Sequence, residues 1–318
     1  MKMKELVLAL VSAVLLLGVT SAQPKLKIAV IPKGTTHIFW KAVEAGAREA
    51  GKELGVEIVW KGPMKENDRA QQISIVEQFV TEGISGIVLA PLDNTALQRP
   101  VAAAARKKIP VVIFDSGLKG EPGKDFVSFV ATDNIKGGNI GGEHLGKLLG
   151  GKGKVVLLRY QVGSASTMER EEGFLQAIAK IPGLTLTVSN RHAGATAGEA
   201  KTSAMNIVDK LKEANGIFCP NESSTFGMLL ALRQSNLAGK VRFVGFDTSP
   251  PLIEALQKGD IDALVAQDPM RMGYEGVKTL VSHIQGKSTQ KVLDTGVRLI
   301  TRENINTPEI KKLLSTQQ

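Results

Sequence analysis

Two aspartates each follow an apolar run: Asp115 comes after Ile109–Phe114, and Asp247 after Val241–Phe246. A carboxylate at such a place either caps a helix or faces a ligand. The repetition of the pattern in both halves of the chain favours a ligand. Other short apolar runs are also followed by polar groups. Pro32-Lys33-Gly34-Thr35-Thr36-His37-Ile38-Phe39-Trp40 follows the first, and Pro91-Leu92-Asp93-Asn94 the third. Gln161 to Arg170, Pro220-Asn221-Glu222 and Gln267-Asp268 stand in the same relation to runs in the second half. Carboxylates accept hydrogen bonds, the Arg170 guanidinium donates through a planar fork, and the amides of Asn221 and Gln267 do both. Phe39 and Trp40 offer flat apolar faces. The mixture suits a molecule whose hydroxyls donate and accept at once. A pocket so built keeps its own groups unpaired when a hydroxyl is missing, which makes it selective.

Competing chemistries find less support. The four histidines lie far apart and show no metal-ligand spacing. Cys219 is the single cysteine, so no intrachain disulfide forms, and its apolar neighbours Gly216-Ile217-Phe218 point to an inert core position. Gly141-Gly-Glu-His-Leu-Gly146-Lys147 has the glycine and lysine spacing of a phosphate loop, but Leu148 stands where Ser or Thr would hold magnesium, and the segment reads as helix interior. There is no Gly-x-Ser-x-Gly elbow. No cofactor is expected and no metal site.

The elements that must position these residues alternate. From Leu26 onward, short β-branched runs take turns with longer amphipathic ones. Strands are expected at 26–31, 56–60, 86–90, 109–114 and 126–131, with helices at 39–54, 70–80 and 96–107 between them. After Asp133-Asn134 the alternation restarts, with helices at 139–149, 170–180, 199–212, 224–234, 251–258 and 273–285. Strands at 154–159, 184–188, 216–219, 241–246, 261–265 and 295–300 separate these. Such alternation implies parallel sheets covered by helices on both faces. One sheet of this many strands would be unusually large, so an α/β architecture of two doubly wound parallel-sheet domains is expected. Ligands of such sheets sit outside the carboxyl ends of the strands, where the polar residues above gather.

The N-terminus is of another kind. Lys2 and Lys4 precede an apolar run from Leu6 to Val19, and Thr20-Ser21-Ala22 follow. This is the layout of a secretory signal peptide, residues 1–22, cleaved after Ala22, and the run is short for a membrane span. The chain carries a net charge of +9, and +8 once the leader's two lysines and one glutamate are gone. Its basic residues are scattered and aromatics make up only 4%, which argues against nucleic acid as a partner.

The layout resembles the periplasmic sugar-binding proteins of the ribose and galactose type, the type I solute-binding proteins of ABC transporters. The motifs carrying the resemblance are Ile31-Pro-Lys-Gly-Thr-Thr-His-Ile-Phe-Trp40, Gly46-Ala-Arg-Glu-Ala50, Ile109-Pro-Val-Val-Ile-Phe-Asp115, Thr132-Asp-Asn134, Met168-Glu-Arg-Glu-Glu-Gly-Phe174, Pro220-Asn-Glu222 and Val244-Gly-Phe-Asp247. It implies two ligand-binding lobes joined by three hinge crossings, near Thr132–Asn134, Gln267-Asp268 and Gly296. One lobe would be residues 24–132 plus 268–296, and the other 133–267 plus 297–318, with a polar C-terminal tail. It implies that Asp115, Arg170, Asn221, Asp247 and Gln267 bind sugar hydroxyls and that Phe39 and Trp40 pack on the ring. At positions where ribose-type proteins carry Asn, this chain has His37 and Ala90; an Arg position is Ser116, and an aromatic one is Ala195. The start of the chain is also similar to autoinducer-2 receptors, through Ile31-Pro-Lys33 and Gly62-Pro63, which adds Lys33 to the contacts. His37 completes the set as a residue of the same loop.

The function so implied is binding without catalysis: a periplasmic, monomeric component of an ABC importer that delivers a monosaccharide or sugar alcohol to an inner-membrane permease. Alternatives are an autoinducer-2-like or chemotaxis receptor, and a secreted glycoside hydrolase using Asp115 and Asp247 as its carboxylate pair. A sugar-responsive repressor would need an N-terminal helix-turn-helix where the leader stands.

Overall fold

The computed structural model describes residues 25–316, so the expected signal peptide lies outside the described residues. The first sheet draws on β1 (Lys27–Ile31), β2 (Glu57–Trp60), β3 (Gly86–Leu89), β4 (Val111–Phe114) and β5 (Ser128–Ala131), linked by α1 (Ile38–Leu54), α2 (Arg69–Glu82) and α3 (Gln98–Arg106). The second half supplies α4 (Asn134–Leu148), β6 (Lys152–Arg159), α5 (Ala165–Ala179), β7 (Gly183–His192), α6 (Ala197–Met205), α7 (Val208–Glu213), β8 (Gly216–Phe218), α8 (Glu222–Gln234), β9 (Arg242–Phe246), α9 (Pro250–Lys258) and β10 (Ala263–Ala266). The chain ends with α10 (Pro269–Ile284), β11 (Val292–Asp294), β12 (Arg298–Thr301) and α11 (Pro308–Ser315).

The strands form two six-stranded sheets of matching order, β11-β5-β4-β3-β1-β2 and β12-β10-β9-β8-β6-β7. The chain therefore passes between sheets three times: after β5, after β10 and after β11. Strands β3, β4 and β10 are buried at every residue, as helices on both faces of a parallel sheet require. Each sheet reverses its strand order once, between β1 and β3 and between β6 and β8. At such a switch point the loops after adjacent strands diverge and open a crevice; the loops after β1 and β6 carry Lys33, His37 and Tyr160 into it.

The structure departs from the expected elements where packing hides the pattern. The helix α4 begins at Asn134, five residues early, capped by the Asp133 carboxylate, which accepts from Lys136 N. It buries glycines against α5 instead of large apolar side chains, so its periodicity is diluted. A Cβ at Gly138 would lie 2.0 Å from the Arg170 carbonyl oxygen, and one at Gly173 2.1 Å from that of Ile135. The phosphate-loop look-alike Gly141–Lys147 falls inside this helix. The start of α5 is also early, at Ala165, because its first turn is Ser/Thr-rich and still buried. The expected helix at 199–212 breaks into α6 and α7. The last strand, β12, runs antiparallel to β10, since no crossover helix precedes it. The polar tail holds a helix, α11, opened by Pro308 in the first turn, and it packs Ile310, Leu313 and Leu314 on the second core.

Candidate functional site

Side chains from both lobes converge on a narrow polar chamber between them. All nine residues singled out from sequence line it: Lys33, His37, Phe39, Trp40, Asp115, Arg170, Asn221, Asp247 and Gln267. Eight are at most 9% exposed, and Phe39 is half-buried.

Asp115 and Asp247 occupy equivalent places at the ends of β4 and β9, and each has a left-handed backbone, with φ of 59° and 71°. Non-glycine residues adopt this conformation rarely, although Asp tolerates it, and such strain gathers at ligand sites. The Asp247 Oδ1 accepts from Gln267 Nε2 at 2.7 Å, and its Oδ2 from the backbone N–H of Glu222 at 2.7 Å. The Asp115 Oδ2 lies 3.4 Å from Lys33 Nζ and has no hydrogen-bond partner among the described residues. Burial pushes both carboxyls above their ordinary range; Lys33 opposes this at Asp115, and Arg170 at Asp247.

Arg170 sits one turn inside α5 and donates from each of its three nitrogens. Its Nε donates to Asn134 Oδ1 (2.8 Å), one Nη to the Pro220 carbonyl (3.0 Å) and the other to Gln267 Oε1 (2.7 Å). The Phe246 ring lies 4.1 Å beneath the guanidinium, a cation–π contact that desolvation strengthens. Thr132 Oγ1 also donates to Gln267 Oε1, tying this network to the first crossing. Asn221 is both a chamber residue and the N-cap of α8: Ser224 N and Oγ donate to its Oδ1.

In the other lobe Lys33 donates across the cleft to Ser164 and Ser166 Oγ at 3.2 and 3.1 Å. Trp40 is as much core as lining: it packs edge-on to Phe39 and Phe114, and its Nε1 donates to Glu66 at 2.7 Å. The Nδ1 of His37 lies 2.7 Å from Glu66 Oε1, and its Nε2 lies 3.1 Å from the carbonyl of Ala195 in the opposite lobe.

Two further carboxylates line the chamber. Glu66 follows β2, whose loop sits at the same carboxyl end of the sheet as those of Lys33 and Asp115. Glu222, noticed only as part of Pro220-Asn-Glu222, crosses the cleft and accepts from Ile38 N and Phe39 N at 3.2 and 2.9 Å. It thereby supplies the anion that the N-terminus of α1 lacks in its own first turn. Ser166 and Thr167 also line the chamber. Gln161 reaches across to the Glu66 carbonyl and does not line it.

Two doubly wound lobes shut on a polar chamber define a two-lobed ligand-binding protein, and the matching sheets with three crossings are the type I periplasmic binding protein fold. The chain belongs to the periplasmic binding protein domain family, whose model matches residues 28–288. It is 32% identical to the ribose import binding protein of Haemophilus influenzae over 300 residues, 92% of this chain and 98% of that one. It is 29% identical to the D-allose-binding periplasmic protein of Escherichia coli over 267 residues, 82% of this chain and 86% of that one. A carbohydrate transporter solute-binding protein from Agrobacterium radiobacter, solved with D-arabinose, matches with a TM-score of 0.87 and 34% identity, covering 92% of this chain and 99% of that one.

Proposed function

We propose that this protein is the periplasmic receptor of an ABC importer for an uncharged monosaccharide or sugar alcohol, held by Lys33, His37, Phe39, Trp40, Asp115, Arg170, Asn221, Asp247 and Gln267. The observation that carries this is the charge balance of the chamber. Lys33 faces Asp115, His37 faces Glu66, Arg170 is drawn to Asp247, and Glu222 is taken up by the head of α1. With each charge answered inside the protein, a charged solute would bring an unmatched one into a buried site, at a cost. A hydroxylated neutral solute meets donors and acceptors without that cost. The names of the relatives, which bind ribose, allose and arabinose, support the same class.

On this reading the lobes, residues 24–132 plus 268–296 and 133–267 plus 297–318, move as bodies about the three crossings and close on the solute. The protein then presents it to a permease and performs no catalysis, so Asp115 and Asp247 bind and do not hydrolyse. Export with removal of residues 1–22 completes the proposal. The test is a thermal-shift screen of the mature protein against D-ribose, D-allose, D-arabinose, other hexoses, sugar alcohols and autoinducer-2, repeated with Asp247→Ala. A ligand at a hundred times its Kd stabilises by about 2.7 kcal/mol. One strong hit lost in the variant supports the reading; a hit with autoinducer-2 alone, or none among the sugars and polyols, overturns it.

A further inference from the structure

Glu66 is the most heavily engaged carboxylate in the cleft. Its Oε1 accepts from Trp40 Nε1 and faces His37 Nδ1, both at 2.7 Å. Its Oε2 accepts from the Tyr160 hydroxyl of the opposite lobe at 3.0 Å, and its backbone carbonyl from Gln161 Nε2 at 2.7 Å. The neighbouring His37 therefore has an acceptor at each ring nitrogen: the Glu66 carboxylate at Nδ1 and the Ala195 carbonyl at Nε2. A neutral imidazole carries one N–H and can serve only one of them. Doubly protonated, it serves both.

We infer that Glu66 is a positioning residue that holds His37 as an imidazolium, so that the ring acts as a clip between the lobes, fastening the closed form by its Nε2–H bond to Ala195. The inference rests on the proposed binding function, which it deepens by naming what holds the cleft shut beside the ligand. The groups facing the ring agree. From the loop after β2 comes Glu66, and from the head of α8 comes Glu222, both acidic. Tyr160 at the end of β6 and Glu199 of α6 stand behind them; Glu199 accepts from the backbone N–H of Ala195. Lys65 lines the same mouth of the cleft, and Lys33 acts on Glu66 from the other side. Burial lowers the His37 pKa, but the charge and hydrogen bond of Glu66, with Glu222 and Ala195, outweigh it and lift the value to about 9. For Glu66, burial raises the carboxyl, while His37, Lys33 and Trp40 bring it down to about 2. Loss of the His37 proton leaves one acceptor facing a lone pair, so closure weakens as pH rises through the upper value.

The test uses a lock that the structure offers. A Cβ at Gly117 would lie 3.6 Å from that of Ala165 in the opposite lobe, within the roughly 3.5–4.5 Å of a disulfide. Oxidised Gly117→Cys/Ala165→Cys protein holds the lobes shut with no sugar needed, and nitrogen NMR of the His37 ring, identified by its loss in His37→Gln, reports both nitrogens. Both are expected to be protonated at pH 8 in the locked protein, and only one when Glu66→Gln is added. A singly protonated ring in the locked protein, or a lock that will not oxidise, overturns the inference. In a second arm D-arabinose is titrated from pH 6 to 10. Its Kd is expected to rise by up to about tenfold per pH unit, the limit for one proton, as pH climbs to the closed-form His37 value of about 9, to level off above it, and to stay flat in His37→Gln. Parallel profiles in the two proteins overturn the inference, whereas failure of the sugar to bind touches only the proposed function, and the locked protein still decides the clip.

Discussion

Replacing Gly138 by Ala puts a methyl group 2.0 Å from the Arg170 carbonyl oxygen and 2.8 Å from Phe174 N. Two effects oppose each other. Ala is the better helix former by about 1 kcal/mol in a helix interior. The methyl, however, meets backbone, which cannot rotate aside, so α4 and α5 must move apart, and overpacking of this kind costs about 3 kcal/mol. The clash wins by about 2 kcal/mol, which at this chain length lowers Tm by about 3 °C. Gly198→Ala is the matched control: Gly198 is exposed in α6, and a Cβ there meets nothing nearer than Thr196 Oγ1 at 4.0 Å. That variant should hold or gain stability. Differential scanning calorimetry on the pair decides, and a Gly138→Ala protein as stable as Gly198→Ala refutes the reasoning. Because the carbonyl that is struck belongs to Arg170, sugar affinity should fall with stability in the first variant and not in the second.

Asp247→Asn keeps the shape but offers one acceptor where Gln267 Nε2 and Glu222 N both donate; losing a charge-assisted bond of about 1.5–3 kcal/mol should weaken the bound sugar ten- to hundredfold by isothermal calorimetry. Lys33→Met strands the buried Asp115 carboxylate, at about 3–5 kcal/mol for a broken buried pair, and Lys33→Met/Asp115→Leu should recover much of the lost Tm while remaining unable to bind. The His37–Glu66 pair sets a pH window for stability. Glu66, lowered from 4.5 to about 2, contributes fully above pH 4.5 and loses its contribution as pH falls toward 2. His37, raised from 6.5 to about 9, contributes fully below pH 6.5 and loses its contribution as pH rises through 9. Melting curves from pH 3 to 10 should therefore plateau between 4.5 and 6.5, and Glu66→Gln should flatten both limbs; unchanged limbs in that variant would show that other groups set them.

The sequence by itself determined the alternation of strands and helices, because buried parallel strands are continuous apolar runs and their covering helices keep a regular stripe. It also determined that polar residues gather after those strands, and hence Asp115, Asp247 and the loops around Lys33, Asn221 and Gln267. The starts of α4 and α5 were hidden, since glycine and serine carry no apolar periodicity even where they are buried. Glu66 and Glu222 were hidden for a different reason. Their partners, His37, Trp40, Tyr160 and the head of α1, lie far away in the chain and in part on the opposite lobe, so nothing in their own neighbourhoods distinguishes them from solvated acids. The pairing of each charge in the chamber depends on distances between strand ends in two separate sheets, and only the tertiary structure, by bringing those ends face to face, decided which acid met which base.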